Sequence, residues 1–228
     1  MSEPRYVIGV DEVGCGAIAG PLVVAAVAFR ADAPRVTTAW RGVRGVKTLA
    51  ADDSKKIKVP EQRGALDLAI RAAAVAHAII ERSAAEIDAR LLREVFPEAL
   101  RLAIQRCVEQ LVMTVNPGKF HIEKDAILVL VDGDLARPDV PCPVRMVPGG
   151  DALDWRIGAA SIVAKACHDR HVTRIAGEYP GWGFDKNRGY PTPKHLVQLQ
   201  RDGLLDQVHR RTFGPVRASR GPIPGMEE

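Results

Sequence analysis

The sequence has few cysteines and no long apolar run. Its four cysteines, Cys15, Cys107, Cys142 and Cys167, are far apart and form no CxxC pair among 228 residues. Neither a disulfide framework nor a zinc ribbon is predicted, and a reducing compartment is the simplest setting. The N-terminus has no basic segment followed by an apolar one, and no apolar run approaches the roughly 18 residues that span a bilayer. We therefore expect a cytoplasmic protein with no membrane contact.

The sequence also lacks a strong excess of either charge, and it contains no internal repeat. Lys and Arg number 32 against 28 Asp and Glu, which gives a net charge of +4. Aromatic residues make up only 5%, but apolar residues reach 46%, enough for the core of an ordinary globular protein. The mild positive charge is compatible with a polyanionic partner but does not identify one.

The apolar pattern predicts strands that alternate with helices. Strands are expected in a hairpin at 5–30 and again at 75–80, 126–131 and 143–147. Helices are expected at 60–73, 86–92, 97–115, 152–178 and 193–201. The charged segment 31–59 is expected to be irregular. This order predicts an α/β fold with a mixed sheet.

The domain prediction is a single unit with a short tail. Residues 1–216 are expected to form a single catalytic domain, and its C-terminal part, from about 180 to 216, is expected to be helical. Residues 217–228 are rich in Gly, Pro and charge, so a disordered tail is expected there.

The segment 9–21 combines two adjacent carboxylates with a glycine-rich turn. An apolar run at 6–10 predicts a strand that ends at Asp11 and Glu12, and residues 22–29 predict the strand after the turn. Glycines let the backbone approach a ligand closely, and carboxylates suit hard cations. An isolated Asp-Glu pair is more often a solvated turn, so this interpretation depends on acids elsewhere in the chain.

Two further acids follow predicted strands. Asp132 comes directly after the strand at 126–131, and Asp151 follows the strand at 143–147. Ligand sites in α/β sheets lie outside strand ends, so these acids and the first pair are expected at one crevice. Four carboxylates would repel each other unless cations were bound, and all-oxygen ligands favour two Mg²⁺ or Mn²⁺ ions over zinc. Taken singly, each acid is equally well explained as a turn residue or, for Asp151, as a helix N-cap.

Seven short blocks occur in one order along the chain: 9–20, 53–56, 130–133, 150–151 with 157–165, 183–184, 189–192 and 210–215. In that order they resemble the type 2 ribonucleases H (the ribonuclease HII family), and the resemblance covers residues 6–216. It implies a ribonuclease H-like fold with a mixed five-stranded sheet flanked by helices and a helical C-terminal extension. It also implies a metal-dependent endonuclease that hydrolyses the RNA strand of RNA–DNA hybrids and cuts 5′ of ribonucleotides embedded in duplex DNA. The products would carry 5′-phosphate and 3′-hydroxyl ends.

The resemblance also assigns roles to residues by position. The metal ligands and catalytic carboxylates are then Asp11, Glu12, Asp132 and Asp151. The turn Gly14-Cys15-Gly16 matches a turn whose backbone reads the ribose 2′-hydroxyl, and Tyr190 matches a tyrosine that stacks on the next deoxyribose. The matches to phosphate-binding residues are Ser54, Lys55, Ser161 and Lys165.

Three departures from the family pattern bear on substrate binding. Cys15 and Gly149 stand where the family carries basic residues, and Leu91 stands where it carries Asn. No metal ligand is lost, so hydrolysis remains the expectation. The missing cations keep two alternatives open: a hybrid-binding protein with weakened catalysis, and a ribonuclease H with an altered junction preference.

Two further groups of side chains allow a structural and a functional interpretation. The first is a set of basic and aromatic residues near the C-terminus, which favours a nucleic-acid groove over a merely soluble surface. Its members are Trp182, Phe184, Lys186, Arg188, Tyr190, Lys194, His209, Arg210 and Arg211. The second is His168 with His171, which we interpret as a solvated helix face rather than a metal site. A monomer is expected, and no motif identifies a contact with a replication clamp.

Overall fold

The computed structural model describes residues 3–42, 45–51, 57, 59–118 and 122–219. The strands are β1 (Tyr6–Val13), β2 (Leu22–Arg30), β3 (Thr37–Gly42), β4 (Gly45–Ala50), β5 (Ala76–Arg82), β6 (Ile127–Asp132) and β7 (Val144–Val147). The helices are α1 (Pro60–Ala73), α2 (Ala84–Arg90), α3 (Leu92–Val115), α4 (Gly150–Leu153), α5 (Trp155–Glu178), α6 (Phe184–Asn187), α7 (Pro193–Asp202) and α8 (Gly214–Ala218).

Five strands form the mixed sheet that positions the site. Their order is β5-β2-β1-β6-β7, with β1 antiparallel to β2 and parallel to β6, and with β6 parallel to β7. Strand β1 is central. The apolar residues of β2 are all buried, as are those of β1 except the half-buried Tyr6, which explains why the sequences of both strands are largely apolar. The predicted fold class, an α/β fold with a mixed five-stranded sheet, is confirmed.

The segment 31–59 was expected to be irregular, and this expectation is wrong for part of it. Strands β3 and β4 form a separate antiparallel ribbon, in which Thr37 pairs with Ala50. Helix α1 lies against β3. A two-stranded ribbon is marginal by itself and gains stability from a packed helix, so charged local sequence does not reveal it.

Two helix boundaries also differ from the prediction. Helix α3 begins at Leu92, so Pro97 lies inside it rather than at its start. The single helix expected at 152–178 is divided into α4 and α5 by Asp154, whose backbone is extended. The Asp154 carboxylate accepts a hydrogen bond of 2.9 Å from the Arg156 N–H and so caps the new helix.

The chain divides into two compact units. Unit 1 comprises residues 1–13, 23–80 and 97–166, and unit 2 comprises residues 14–22, 81–96 and 167–228. The single-domain prediction therefore stays a prediction. Unit 2 has its own apolar core, formed by residues that include Ile18, Val172, Trp182, Phe184 and Leu199.

The C-terminal part of unit 2 is helical, as expected. Arg217 and Ala218, the first residues of the predicted tail, close helix α8, and residues 220–228 lie outside the described residues. None of the helices in the described part of the chain combines the length and apolar character that crossing a membrane requires.

Candidate active site

Strand pairing in unit 1 brings the predicted acids together. Val10 of β1 pairs with Val131 of the parallel strand β6, so the next residues, Asp11 and Asp132, emerge side by side. Neighbouring strands are about 4.8 Å apart, which is close enough for two carboxylates to share a ligand. Asp132 pairs in turn with Val147 of β7, and the chain then reaches Asp151 in the short helix α4.

Backbone N–H groups hold two of the carboxylates in place. The Gly150 N–H donates to Asp132 Oδ1 at 2.6 Å, and the Glu12 N–H donates to Asp11 Oδ1 at 2.7 Å. A Cβ at Gly150 would lie 2.5 Å from Ile157 Cδ1 and 3.2 Å from Val147 Cβ, so a larger residue here would require neighbouring side chains to move. Asp11 and Asp151 are each 4% exposed. Asp11 and Asp132 are therefore held in place by the backbone, and Asp11 and Asp151 are largely shielded from water.

Burial and mutual repulsion raise the pKa of two of these acids. Burial, followed by the charge of Glu12, raises the pKa of Asp11 to about 8. Burial, followed by the charge of Asp132, raises the pKa of Glu12 to about 7, and Asp151 adds to the effect. A divalent cation relieves this repulsion, and the all-oxygen donor set fits a hard ion such as Mg²⁺ or Mn²⁺. The site therefore has the chemistry of a metal centre.

Ser161 and Lys165 belong to the same cluster. Lys165 Nζ donates to Ser161 Oγ at 3.0 Å, and the Ser161 hydroxyl hydrogen-bonds Asp11, which favours the charged carboxylate. Ser161 and Lys165 are four residues apart on α5 and so share a helix face. Because Ser161 is fully buried, its hydroxyl supports Asp11 rather than reaching solvent.

Unit 2 carries the predicted turn, and a buried arginine holds it. Arg210 Nη1 donates to the Gly14 carbonyl at 2.7 Å and to the Cys15 carbonyl at 3.4 Å, while Nε donates to the Gly20 carbonyl at 3.1 Å. Gly14 has φ +92°, and a Cβ there would lie 2.6 Å from the Pro21 carbonyl oxygen. Gly16, by contrast, is exposed at the end of the turn.

Tyr190 lies beside this turn. The residue is 38% exposed, and its Cε1 is 3.8 Å from the position of a Cβ on Gly16. The neighbouring Gly189 places Tyr190 there, because the Gly189 carbonyl accepts hydrogen bonds from the N–H groups of Ile18 and Ala19 at 2.8 and 3.1 Å. Asn187 Oδ1 accepts the Gly189 N–H at 2.8 Å. The exposed Gly16 and Tyr190 therefore form one surface.

The remaining predicted contacts and departures are placed as follows. Ser54 and Lys55 lie outside the described residues. Gly149 has φ +68°, a conformation in which glycine is favoured over a basic residue. Leu91 has φ +66° and ψ +145° at the end of α2, a backbone conformation that glycine adopts with far less strain than any other residue. Cys15 is half-buried.

Part of the predicted basic and aromatic groove is core instead. Trp182, Phe184, His209 and Arg210 are buried, at 9%, 2%, 1% and 0% exposure, so they do not form a nucleic-acid surface. The exposed members, such as Lys186 and Lys194, line an open groove of about 900 Å³ in unit 2. The sequence did not reveal the structural role of Arg210, although Arg210 begins the run at 210–215, one of the seven blocks that resemble the family.

The solvated-face interpretation is wrong for His168. This residue is 2% exposed, and burial lowers its pKa to about 4. His171 is half-buried and pairs with Glu81. The two histidines are three apart on α5, a spacing that places both near one side of the helix without showing which of them faces the core.

Solved ribonucleases H share the fold of this chain, so its fold class is ribonuclease H-like. The ribonuclease H2 from Pyrococcus horikoshii OT3 matches with a TM-score of 0.65 at 22% identity, over 94% of this chain and 96% of that chain. The ribonuclease HII in a PCNA:RNase HII complex from Archaeoglobus fulgidus matches with a TM-score of 0.60 at 20% identity, over 96% of this chain and 98% of that chain.

Sequence comparison gives the family. A family model described as Ribonuclease HII matches residues 8–216. The chain is 40% identical to the ribonuclease HII of Bordetella pertussis over 220 residues, which are 96% of this chain and 94% of the relative. It is 36% identical to the ribonuclease HII of Xylella fastidiosa strain M12 over 95% of this chain and 80% of that relative. The chain belongs to the ribonuclease HII family, and it is an endoribonuclease of the ribonuclease H type.

Proposed function

We propose that this chain hydrolyses the RNA strand of RNA–DNA hybrids and also cuts 5′ of single ribonucleotides embedded in duplex DNA. The products carry 5′-phosphate and 3′-hydroxyl ends. The proposal rests on the register of β1 and β6, which sets Asp11 beside Asp132. The charge of Glu12 helps to raise the pKa of Asp11, and the charge of Asp151 helps to raise that of Glu12, so the four acids lie in one cluster. Membership of the ribonuclease HII family supports the same activity.

The four carboxylates, Asp11, Glu12, Asp132 and Asp151, would hold two Mg²⁺ or Mn²⁺ ions. The chemistry that such ions supply is activation of a water molecule and stabilisation of the leaving 3′-oxygen. The chain's own residues keep the ligands ready for this chemistry. The Ser161 hydroxyl holds Asp11, and the Gly150 N–H holds Asp132. Lys165 adds a positive charge that favours the ionised acids.

Unit 2 would recognise the sugar. Only the 2′-hydroxyl distinguishes RNA from DNA at one nucleotide, and the backbone of the turn Gly14-Cys15-Gly16 is the proposed reader. Arg210 fixes the carbonyls of this turn, which supports a preorganised contact. The exposed Tyr190 ring offers a stacking surface next to Gly16. Lys186 and Lys194 on the open groove would contact backbone phosphates.

The test is cleavage of labelled duplex DNA that contains one ribonucleotide, alongside a continuous RNA–DNA hybrid, in Mg²⁺ and in Mn²⁺. We expect cuts in both substrates and a cut 5′ of the single ribonucleotide. Asp132→Asn should lower turnover by roughly a hundredfold or more with the fold intact. Asp134→Asn is the matched control, because this exposed acid lies two residues further on, and it should leave turnover unchanged.

Other outcomes would change the proposal in defined ways. Cleavage of the continuous hybrid alone would mean that junction recognition is lost, and Cys15→Arg should then increase cleavage at isolated ribonucleotides. Tight binding of both substrates without cleavage would favour a hybrid-binding protein. Full activity of Asp132→Asn would contradict the metal-ligand assignment.

A further inference from the structure

Unit 2 contains a second group of metal-ligating side chains that the proposed reaction does not use. The ligand atoms of Glu81, Cys167 and His171 all lie within 4.8 Å of one another. Cys167 Sγ is 3.1 Å from Glu81 Oε1, and His171 Nε2 contacts Glu81 Oε2. We infer that this group is a binding site for a borderline-soft divalent cation of the Zn²⁺ type.

The spacing of the ligands along the chain favours such a site. Cys167 and His171 are four residues apart on α5, so one helix face presents both, as in helical zinc motifs with ligands at i and i+4. Glu81, near the end of β5, supplies the third ligand from another element. Three ligands from two elements clamp an ion more rigidly than neighbouring residues of one loop would.

The distances and the donor types fit zinc better than magnesium. Zinc binds Cys, His and carboxylate ligands at about 2.0–2.3 Å, which places tetrahedral ligand atoms about 3.5 Å apart. The thiol and carboxylate are already near that spacing, and small side-chain rotations suffice for the imidazole. A thiolate and an imidazole are poor ligands for Mg²⁺, so the site differs in preference from the carboxylate cluster of unit 1.

The surroundings leave room for a fourth ligand. A cavity of about 280 Å³ in unit 2 is lined by Glu81 and His171, together with Ser83, Glu86 and Gln207. Water from this cavity would complete a tetrahedral shell, the arrangement of a zinc site with an open position. Two arginines lie nearby and oppose a cation: Arg170 hydrogen-bonds Cys167, while Arg174 is already paired with Glu178. The carboxylate and a thiolate together balance the charge of the ion.

Cobalt titration tests the inference in the full chain after reduction and treatment with a chelator. One equivalent of Co²⁺ should give a thiolate-to-cobalt charge-transfer band in the near ultraviolet, and Zn²⁺ should abolish it. The oxygen ligands of unit 1 give no such band. Cys167→Ser should remove the band, and Cys142→Ser is the matched thiol control that should retain it. A missing band, or a band that survives Cys167→Ser, would overturn the inference.

Two further variants cover the case in which Cys167→Ser does not fold. Glu81→Gln and His171→Gln keep the thiol and should each weaken Co²⁺ binding by roughly tenfold or more. Unchanged affinity in both variants would show that the three side chains form an ordinary hydrogen-bonded cluster. Since a ligand of the folded state raises its stability, Zn²⁺ should also raise the melting temperature of the wild-type chain more than that of His171→Gln.

Discussion

Arg210 shows how much one buried side chain can contribute to a surface loop. Its guanidinium is fully buried and donates to the carbonyls of Gly14, Cys15 and Gly20, while burial lowers its pKa to about 10, which still leaves it charged at neutral pH. The guanidinium also lies 5.0 Å from the ring centre of Phe213. Its role is therefore to fix the turn rather than to bind phosphate directly.

Replacing Arg210 by Met should expose this role. The substitution keeps much of the apolar stem but leaves buried carbonyls without their donor, so we expect a loss of about 3 kcal/mol in the free energy of unfolding. Urea denaturation measures it. Arg201→Met is the control, because Arg201 is exposed and its loss should leave stability nearly unchanged. Equal effects of the two substitutions would contradict the assigned role.

At the scale of elements, the contact between β1 and α5 determines where the acids lie. Gly9 of β1 packs against the first turn of α5, and a Cβ on Gly9 would lie 2.1 Å from the Arg156 carbonyl oxygen. Asp11 follows two residues later on β1, and its hydrogen-bond partner Ser161 follows on α5. The close approach of strand and helix thus brings carboxylate and hydroxyl together.

Gly9→Ala should separate these two elements. Because the new methyl group would meet rigid backbone, we expect a destabilisation of about 2–3 kcal/mol and a lower cleavage rate. Gly64→Ala in α1 is the matched control. Outside its own helix backbone, no atom of the described residues lies within 4 Å of the new Cβ, and Ala is the better helix former, so this substitution should stabilise the chain by about 0.5–1 kcal/mol. Thermal unfolding of both variants measures the difference. A Gly9→Ala variant as stable as the wild type would rule out the close packing.

At the scale of the whole molecule, His168 makes stability depend on pH. Burial lowers its pKa to about 4; the charge of Asp169 opposes this shift, and the charges of Arg210, His171 and Arg188 add to it. The described residues contain no hydrogen-bond partner for His168 Nε2. The folded chain therefore keeps this imidazole neutral over a pH range in which the unfolded chain takes up a proton.

The sign of the effect follows from proton uptake. Between the unfolded pKa of 6.5 and the folded value of about 4, only the unfolded chain binds the proton, so stability falls as pH falls through this window. The shift corresponds to about 3 kcal/mol. Between pH 7.5 and pH 4, the free energy of unfolding of the wild-type chain should fall by about that much more than the free energy of unfolding of His168→Leu. Urea denaturation at the two pH values measures both. Since both chains share all other titrating groups, parallel pH profiles would contradict the prediction.

Local patterns in the sequence were enough to predict the sheet and the positions of the acids. A buried parallel strand needs continuous apolar residues, and polar groups reach the crevice where that apolar run ends. The apolar run of β1 stops at Asp11, and that of β6 stops at Asp132. The turn at Gly14 was also predictable, since glycine accepts the positive φ that it requires. These features depend on residues close together in the chain.

Only the tertiary structure decided which side chains are buried and which distant residues meet. The basic residue Arg210 and the imidazole of His168 look like surface groups in the sequence, yet both are core. Glu81 and Cys167 are 86 positions apart and meet only because the chain folds β5 and α5 together. Contacts at such separations depend on the packing of whole elements, whereas strand ends and turns depend on a few neighbouring residues, and that is why the sequence alone revealed the acids but not this cluster.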